Sequence, residues 1–497
     1  MSNLARVRAA AAAATCVPSE ASATPLEELR KFLETHRMVG KTGPRAFAEF
    51  ERELHERVMA FERDVIAAEM ATRDIDADAV VIDGKVHRRV LRQSQTYVTA
   101  AGEVEVERTL YKDRTDDEGH CVSPMELTLW IIGNFWTPRA AQQALWVVTQ
   151  MTPQKSEELF KRVGNMTPSK SSLDRLPKLV SERWEGNREA FEAALREGLV
   201  IPEGTVSITA SLDGVLAPVD GGNSPTQVRA DAAAEGRQSK GPAGYRETSC
   251  ATVSFCDAKG DLLGAIRLAR APEPKKATLK EMLTAEVRAV LKARPDLKLV
   301  KIADGANDNW QYLSSPALPE GEEAIDFFHA TEHLHAAIAA AYGDGTHETQ
   351  FRYATLRDTL RDEAGGQDKV IRALKHLATK HPQRKVIARE LAYFRKNKPR
   401  MRYADLKRQG FMIGSGVVEA ACKTLVTQRL KQSGMRWSAG GAQAILTPRG
   451  WDQSERFDQA WALLAATFHT EVTVLANVIA FKPESPRKPK RARAASR

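Results

Sequence analysis

The chain has 497 residues, 42% hydrophobic and 28% charged, with 73 Lys and Arg against 64 Asp and Glu and a formal net charge of +9. That length exceeds one ordinary core and predicts roughly two to four domains, while the hydrophobic fraction excludes wholesale disorder. No run of about eighteen apolar residues is present, which argues against a membrane span. Five cysteines (Cys16, Cys121, Cys250, Cys256, Cys422) are scattered and odd in number. This argues against a disulfide scaffold and for a reducing, cytoplasmic setting.

From the N-terminus, Arg6 and Arg8 precede Ala9 to Ala14. Poly-alanine is a poor signal-peptide core, so residues 1–25 read as an unstructured tail. Between Pro25 and Thr72 the apolar residues Leu29, Phe32, Leu33, Phe47, Phe50, Leu54, Val58 and Phe61 recur at helical spacing. Residues 77–111 change to near-alternation with Asp83-Gly84 and Gly102 as turns, predicting short β-hairpins in an N-terminal α+β region, 26–125. His120-Cys121 has no C-x-x-C partner, and adjacent residues rarely ligate one tetrahedral ion, which argues against structural zinc.

Residues 126–200 are helical again. Ser156 to Val163 predicts one helix, 164–168 a break, and Lys170 to Val180 a second helix capped by the Ser169 hydroxyl. The pattern is compatible with a helix-turn-helix, which would make Lys170 a DNA-contact candidate. Any helical hairpin shares it.

From Val206 the alternation sharpens. Val206–Val215 reads as a strand carrying Asp213 near its end, followed by a Gly-rich stretch from Asp220 to Gly244. Thr248–Cys256 and Leu262–Leu268 form a second and third strand through the turn Ala258-Lys259-Gly260. A helix follows over Thr278–Lys292, with Leu279, Met282, Leu283, Val287 and Leu291 on one face. The fourth strand, Leu297–Ile302, delivers Asp304. The fifth, Ala324–Phe328, runs into His329 and a helix over Thr331–Tyr342.

Three antiparallel strands, a helix, then strand–helix–strand–helix is the order of an RNase H-like α/β domain with a mixed five-stranded sheet. In that order the ends of the first and fourth strands lie side by side, so Asp213 and Asp304 would meet. Close carboxylates are costly unless cations lie between them. Hard oxygen ligands suit Mg2+ or Mn2+, and two such ions stabilise attacking and leaving oxygens in phosphodiester chemistry. A single Asp after a strand is more often a turn residue; the pair carries the reading. The third carboxylate is Glu419, in the first helical turns after Gly414-Ser415-Gly416, with Glu332 and Glu323 as rivals.

The net charge is unevenly placed. Between Phe351 and Gln409 about 17 Lys and Arg face about 6 acids, roughly +11, and the tail Lys482–Arg497 adds roughly +6. The remainder is therefore acidic by roughly 8 charges. A basic run is commonly only a solvated face, but residues 344–410 read as a folded helical insertion that carries its charge in one place.

Ser211-Leu212-Asp213-Gly214-Val215, Ala303-Asp304-Gly305-Ala306, Asp326-Phe327-Phe328-His329 and Gly414-Ser415-Gly416-Val417-Val418-Glu419 form an ordered set. With Arg429-Leu430-Lys431 and Gly434-Met435-Arg436-Trp437, that set resembles bacterial insertion-sequence transposases of the ISKra type, over roughly residues 200–470. The resemblance implies that Asp213, Asp304 and Glu419 are a metal-binding DDE triad in a catalytic domain made of 203–343 and 411–470. It implies that Asp326 and His329 support the site or contact DNA; the residue pattern alone also fits a His329 that caps or packs at a strand end. Arg429, Lys431, Arg436 and Trp437 read either as a solvated helix face with a core Trp, or as groups that grip phosphates and stack on a base. Thr447-Pro448-Arg449-Gly450 departs from the family pattern and is expected to break the helix there.

The expected activity is binding of terminal inverted repeats, metal-dependent strand cleavage and strand transfer to target DNA, by a homo-oligomer associated with the bacterial nucleoid. The competing classes are a catalytically inactive or domesticated DNA-binding protein and a structure-specific nuclease on the same sheet.

Overall fold

The computed structural model describes residues 24–38, 44–113, 115, 119–164, 166–220 and 244–475. The expected tail before Thr24, the Gly-rich segment between Asp220 and Gly244 and the basic tail at 482–497 lie outside them. The protein is mixed α/β with two sheets, and no helix among the described residues is long and apolar enough to cross a membrane. The chain divides into two compact units: residues 1–140 with 164–167 and 465–497, and residues 141–163 with 168–464.

The first unit opens with α1 (Pro25–Met38) and α2 (Pro44–Thr72), then β1 (Ala79–Ile82), β2 (Lys85–Thr99), β3 (Gly102–Asp113) and the short α3 (Pro124–Thr128). β9 (Val472–Val474) joins from the far end of the chain, giving an antiparallel sheet in the order β3-β2-β1-β9. Asp83 and Gly84, at φ of 50° and 74°, make the left-handed two-residue turn between β1 and β2. The alternation that predicted short hairpins belongs to one short strand and one long hairpin of 15 and 12 residues. Its inner face is anchored by Tyr97, whose hydroxyl donates to Glu126 at 2.7 Å, while Arg108 also donates to Glu126.

The second unit is built on β4 (Ser207–Ala217), β5 (Arg246–Cys256), β6 (Leu262–Arg270), β7 (Lys298–Ala303) and β8 (Glu322–Ile325), in the order β6-β5-β4-β7-β8. β4, β5 and β6 pair antiparallel, whereas β7 runs parallel to both β4 and β8. Central strands covered on both faces demand nearly continuous apolar sequence, and Leu299 to Ala303 supplies it with Lys301 as the one polar member. Along the chain the helices that follow are α4 (Pro138–Gln150), α5 (Pro153–Val163), α6 (Lys170–Gly186), α7 (Arg188–Glu197), α8 (Ala277–Ala293), α9 (Asn307–Leu313) and α10 (Phe327–Tyr342). Leu279, Leu283, Val287 and Val290 of α8 are fully buried against this sheet's core, as their spacing predicts.

The basic segment is helical: α11 (His347–Asp362), α12 (Gly366–Lys380), α13 (Lys385–Asn397) and α14 (Tyr403–Arg408). Its apolar stripe of Leu360, Val370, Leu374, Leu377, Ile387, Leu391 and Phe394 joins the same core as the sheet. The chain closes through α15 (Gly416–Ala421), a π-helical stretch over Cys422–Thr427, α16 (Gln428–Leu430), α17 (Ala439–Gln453) and α18 (Phe457–Ala466).

Two local expectations are corrected. The fifth strand stops at Ile325, and Phe327 and Phe328 are helical, because the Asp326 carboxylate accepts the His329 N–H at 2.5 Å and caps α10 four residues earlier than expected. The break expected at Thr447-Pro448-Arg449-Gly450 is absent, since α17 runs through Pro448 to Gln453. A mid-helix proline costs about 3 kcal/mol. Here the turn is fixed from outside: Arg449 is buried and donates to the carbonyls of Thr424, Leu425 (3.1 Å) and Thr149 (2.7 Å). Gln443 also donates to the Thr447 hydroxyl at 2.8 Å.

Candidate active site

Strand register brings the two aspartates together. The parallel pairing of β4 with β7 ends at Ser211 opposite Ile302, two residues before Asp213, which lies within β4, and Asp304, which is just past the end of β7. Adjacent strands lie about 4.8 Å apart, and positions two residues on point to the same face as their predecessors. Asp213 is half-buried, and its carboxyl lies above the usual carboxylate range, first because of burial and further because of the neighbouring charges of Asp304 and Glu247. The Gly214 N–H and Lys276 pull the other way. Gly214 lets the Glu247 side chain lie where a Cβ would stand, so a larger residue there would displace Glu247 from beside Asp213.

Asp304 is held by its own loop. Its Oδ1 accepts from the Ala306 N–H at 3.2 Å and from Asn309 Nδ2 at 3.0 Å, and Trp310 Nε1 donates to its carbonyl at 2.6 Å. Lys276 joins the two acids. Its ammonium lies 2.9 Å from Glu247 Oε1 and donates to Asn309 Oδ1 at 3.4 Å. Lys275 and Lys276 are both left-handed, with φ of 55°, which is costly for residues with a Cβ. Strain of this kind persists only where the surroundings over-determine it, and it concentrates at functional sites.

Glu419 lies on α15, exposed, and accepts a hydrogen bond from the Ser415 hydroxyl one turn earlier at 3.0 Å. Residues 415, 419 and 422 share one helix face. Its two ends touch the sheet: the Ser415 N–H donates to Asp326 Oδ2, and the Cys422 thiol lies 3.9 Å from Asp213 Oδ2. Asp326 is thus a double tether, capping α10 and holding the entry to α15, while Phe327 N–H donates to the Ile413 carbonyl at 3.0 Å. The helix loosens to π immediately after this face, a feature frequent at functional sites. Among the described residues, no three His, Cys, Asp or Glu side chains stand ready as a ligand set.

The other sequence candidates are spread more widely. Glu323 is engaged by Arg400 at 2.7 Å, and Glu332 is 78% exposed beside His329. Arg429 is only 1% exposed. Its guanidinium donates to the Val148 carbonyl at 3.2 Å and lies over the Trp437 ring, and burial together with Arg449 lowers its pKa to about 10. It is therefore turned inward. Trp437 is half-buried, and its indole N–H donates to the Leu430 carbonyl at 3.1 Å. Lys431 and Lys170 are exposed, and Arg436 is 72% exposed with Asp220 at 3.7 Å.

Sequence reasoning missed Lys276, His333, Glu390 and Tyr393. His333 stands four residues after His329, a spacing legible in the sequence. Glu390 and Tyr393 are in the insertion, where net charge drew attention away from individual acids and aromatics. The chain matches no protein-family model and no curated protein.

Proposed function

We propose that this chain is a DNA transposase of the DDE type, with an RNase H-like catalytic domain built on the five-stranded sheet. The observation that carries the reading is that Asp213, within β4, lies beside Asp304, the first residue after the adjacent parallel strand β7, near enough for the Asp304 charge to act on its carboxyl. Two acids placed side by side, one of them held above its usual pKa by burial and by the other, suit a site that works with added positive charge.

The donor set is chemically right for Mg2+ or Mn2+, because Asp213, Asp304 and Glu419 offer only hard oxygens. A pair of such ions, when bound, supplies Lewis-acid stabilisation to a phosphodiester undergoing displacement. The protein's own groups do the positioning. β4 and β7 fix the two aspartates, Asp326 holds the entry of the Glu419 helix, and Lys276 supplies a resident ammonium beside the acids.

DNA is the proposed substrate because of the insertion. Most of its cations are engaged in ion pairs, but Arg372, Lys375, Lys380, Arg384, Lys385 and Arg395 are exposed and make no ion pair among the described residues. These six cations, on α12, on α13 and at Arg384 just before α13, suit a phosphate backbone, whose binding is then steeply salt-dependent. Arg436 and Trp437 are the further candidates for contact near the cleavage point. The specific ligand would be the terminal inverted repeats of the element, joined later by target DNA, with two or more chains acting on paired ends.

The test uses labelled DNA carrying the sequence that flanks the reading frame. The full chain should nick it in Mg2+ or Mn2+ and stop in EDTA. Asp213→Ala should lose cleavage by at least about 10^3-fold, several kcal/mol of barrier, while end binding persists. Undiminished cleavage in that variant overturns the triad. Salt-dependent binding with no cleavage by the wild type supports instead a DNA-binding protein that keeps the sheet without its chemistry.

A further inference from the structure

A second constellation lies beside the acids and has no part in the triad. His329 and His333 are one turn apart on α10, and their Nε2 atoms face each other at 3.3 Å. The other nitrogen of His333, Nδ1, is 2.5 Å from Oε2 of Glu390, a carboxylate whose side chain is 1% exposed. Arg389 donates to the second oxygen of that carboxylate at 2.7 Å. The His333 ring is sandwiched further by Tyr393, stacked at 3.7 Å and 18°.

We propose that His329 and His333 bind a borderline divalent cation of the zinc class, at a site distinct from the Asp213–Asp304 pair. Glu390 fixes the tautomer: with Nδ1–H of His333 donated to the carboxylate, its Nε2 presents a lone pair toward His329. A carboxylate on the far nitrogen is the usual outer partner of a metal-bound imidazole, since it orients the ring and raises its basicity. The spacing also fits. Two nitrogens each about 2.0–2.1 Å from a tetrahedral ion are separated by about 3.3–3.4 Å. Imidazole nitrogen suits zinc-class ions better than Mg2+, which favours oxygen. This separates the site by chemistry from the acids.

The surroundings support an occupant. The Tyr393 hydroxyl is buried and has no hydrogen-bond partner, and burial together with Asp304, Asp326 and Glu390 pushes its pKa far up, so it stays neutral. The side chain of His329 is 37% exposed, which leaves an approach from solvent. Two protein nitrogens leave the ion's remaining positions to water or to oxygens of a bound anion, one protein ligand fewer than the three that hold a catalytic zinc. Without the ion, His329 can still donate its Nε2–H to His333, so the fold does not depend on occupancy.

The test is a Co2+ titration of the full chain in buffer saturated with Mg2+, followed by the visible d–d absorption of the bound ion and by displacement with Zn2+. The wild type should take up one Co2+ per chain. His329→Asn and His333→Asn should each weaken uptake at least tenfold, and Glu390→Gln by about 10–100-fold. Asp213→Asn should leave it unchanged. Equal uptake by the wild type and His329→Asn overturns the proposal, as does uptake that follows Asp213 instead. If His333→Asn melts out, His329→Asn decides alone, because that ring is partly exposed and outside the core.

Discussion

The second unit places two pairs of carboxylates close together, one buried and one half-buried, and it treats them differently. Glu192 on α7 and Glu286 on α8 are 7% and 3% exposed. Arg188 lies 3.2 Å from Glu192, Arg196 is 3.8 Å from Glu192 and 3.7 Å from Glu286, and Arg456 takes Glu286 bidentately at 3.0 and 3.2 Å. Three guanidiniums answer two acids, so positive charge here exceeds negative, although Glu192 Oε1 and Arg196 Nη1 are buried without a hydrogen-bond partner. At the sheet end, Asp213 and Asp304 have Glu247 added to them and, among the described residues, the Lys276 ammonium set against them. Burial raises the pKa of one acid in each pair. Only the second pair leaves negative charge in excess, which is what a fold tolerates where it serves a ligand and avoids where it serves only itself.

The largest effect that separates the pairs should come from Arg456→Met. It strips the bidentate partner from a buried carboxylate, and breaking such a pair costs about 3–5 kcal/mol. Urea unfolding of the full chain reads this directly. A change below about 1 kcal/mol would mean that the arginine cluster is not what holds Glu286, and the contrast with the sheet end would fail.

A smaller effect concerns pH. Burial, aided by Glu286 and opposed by Arg188 and Arg196, pushes Glu192 from its ordinary 4.5 up to about 7. An acid whose pKa is raised on folding contributes stability that is fully present below its unfolded value and is lost as pH rises through its folded value. Wild-type stability should therefore decline between about pH 4.5 and 7, by of the order of 1–3 kcal/mol from this group. Glu192→Gln should remove that component of the slope. The measurement is the urea midpoint at both ends of the window, and an unchanged slope in the variant would assign the pH dependence elsewhere.

The contrast between the pairs was only half legible in the sequence. Asp213 and Asp304 stand out because strand alternation locates them and strand order brings them together, both of which are local patterns. The arginine cluster is invisible in sequence, since Arg188 and Arg196 on α7 and Arg456 in the link between α17 and α18 are brought together only by packing. The same limit applies to Arg429, which reads as a phosphate grip by type and position. The structure turns it inward because the Val148 carbonyl and the Trp437 ring are there to receive it. The mid-helix Pro448 is another case, since the bonds of Arg449 that hold its turn reach residues about 25 and 300 positions away. The early start of α10, by contrast, was readable: Asp326 three residues before His329 is a cap signal that the run of apolar residues concealed.

The smallest effect is also the sharpest, because its sign is unusual. Burial and the charges of Asp304 and Glu247 hold the Asp213 carboxyl above its ordinary value, so its ionised form opposes folding, and removing the charge at this position should not weaken the protein. Asp213→Asn in EDTA at pH 7 should match the wild type or exceed it by up to about 1 kcal/mol, with the gain shrinking as acid protonates the native carboxyl. Added Mg2+ should raise the melting temperature of the wild type, because an ion that binds only the folded state stabilises it, and should leave the variant nearly unmoved. A variant that melts lower in EDTA would put Asp213 with Glu286, as an acid kept for the fold. A variant that melts higher and ignores Mg2+ would place it where its position beside Asp304 suggests, at a site whose cost in stability is the counterpart of a cation it is built to receive.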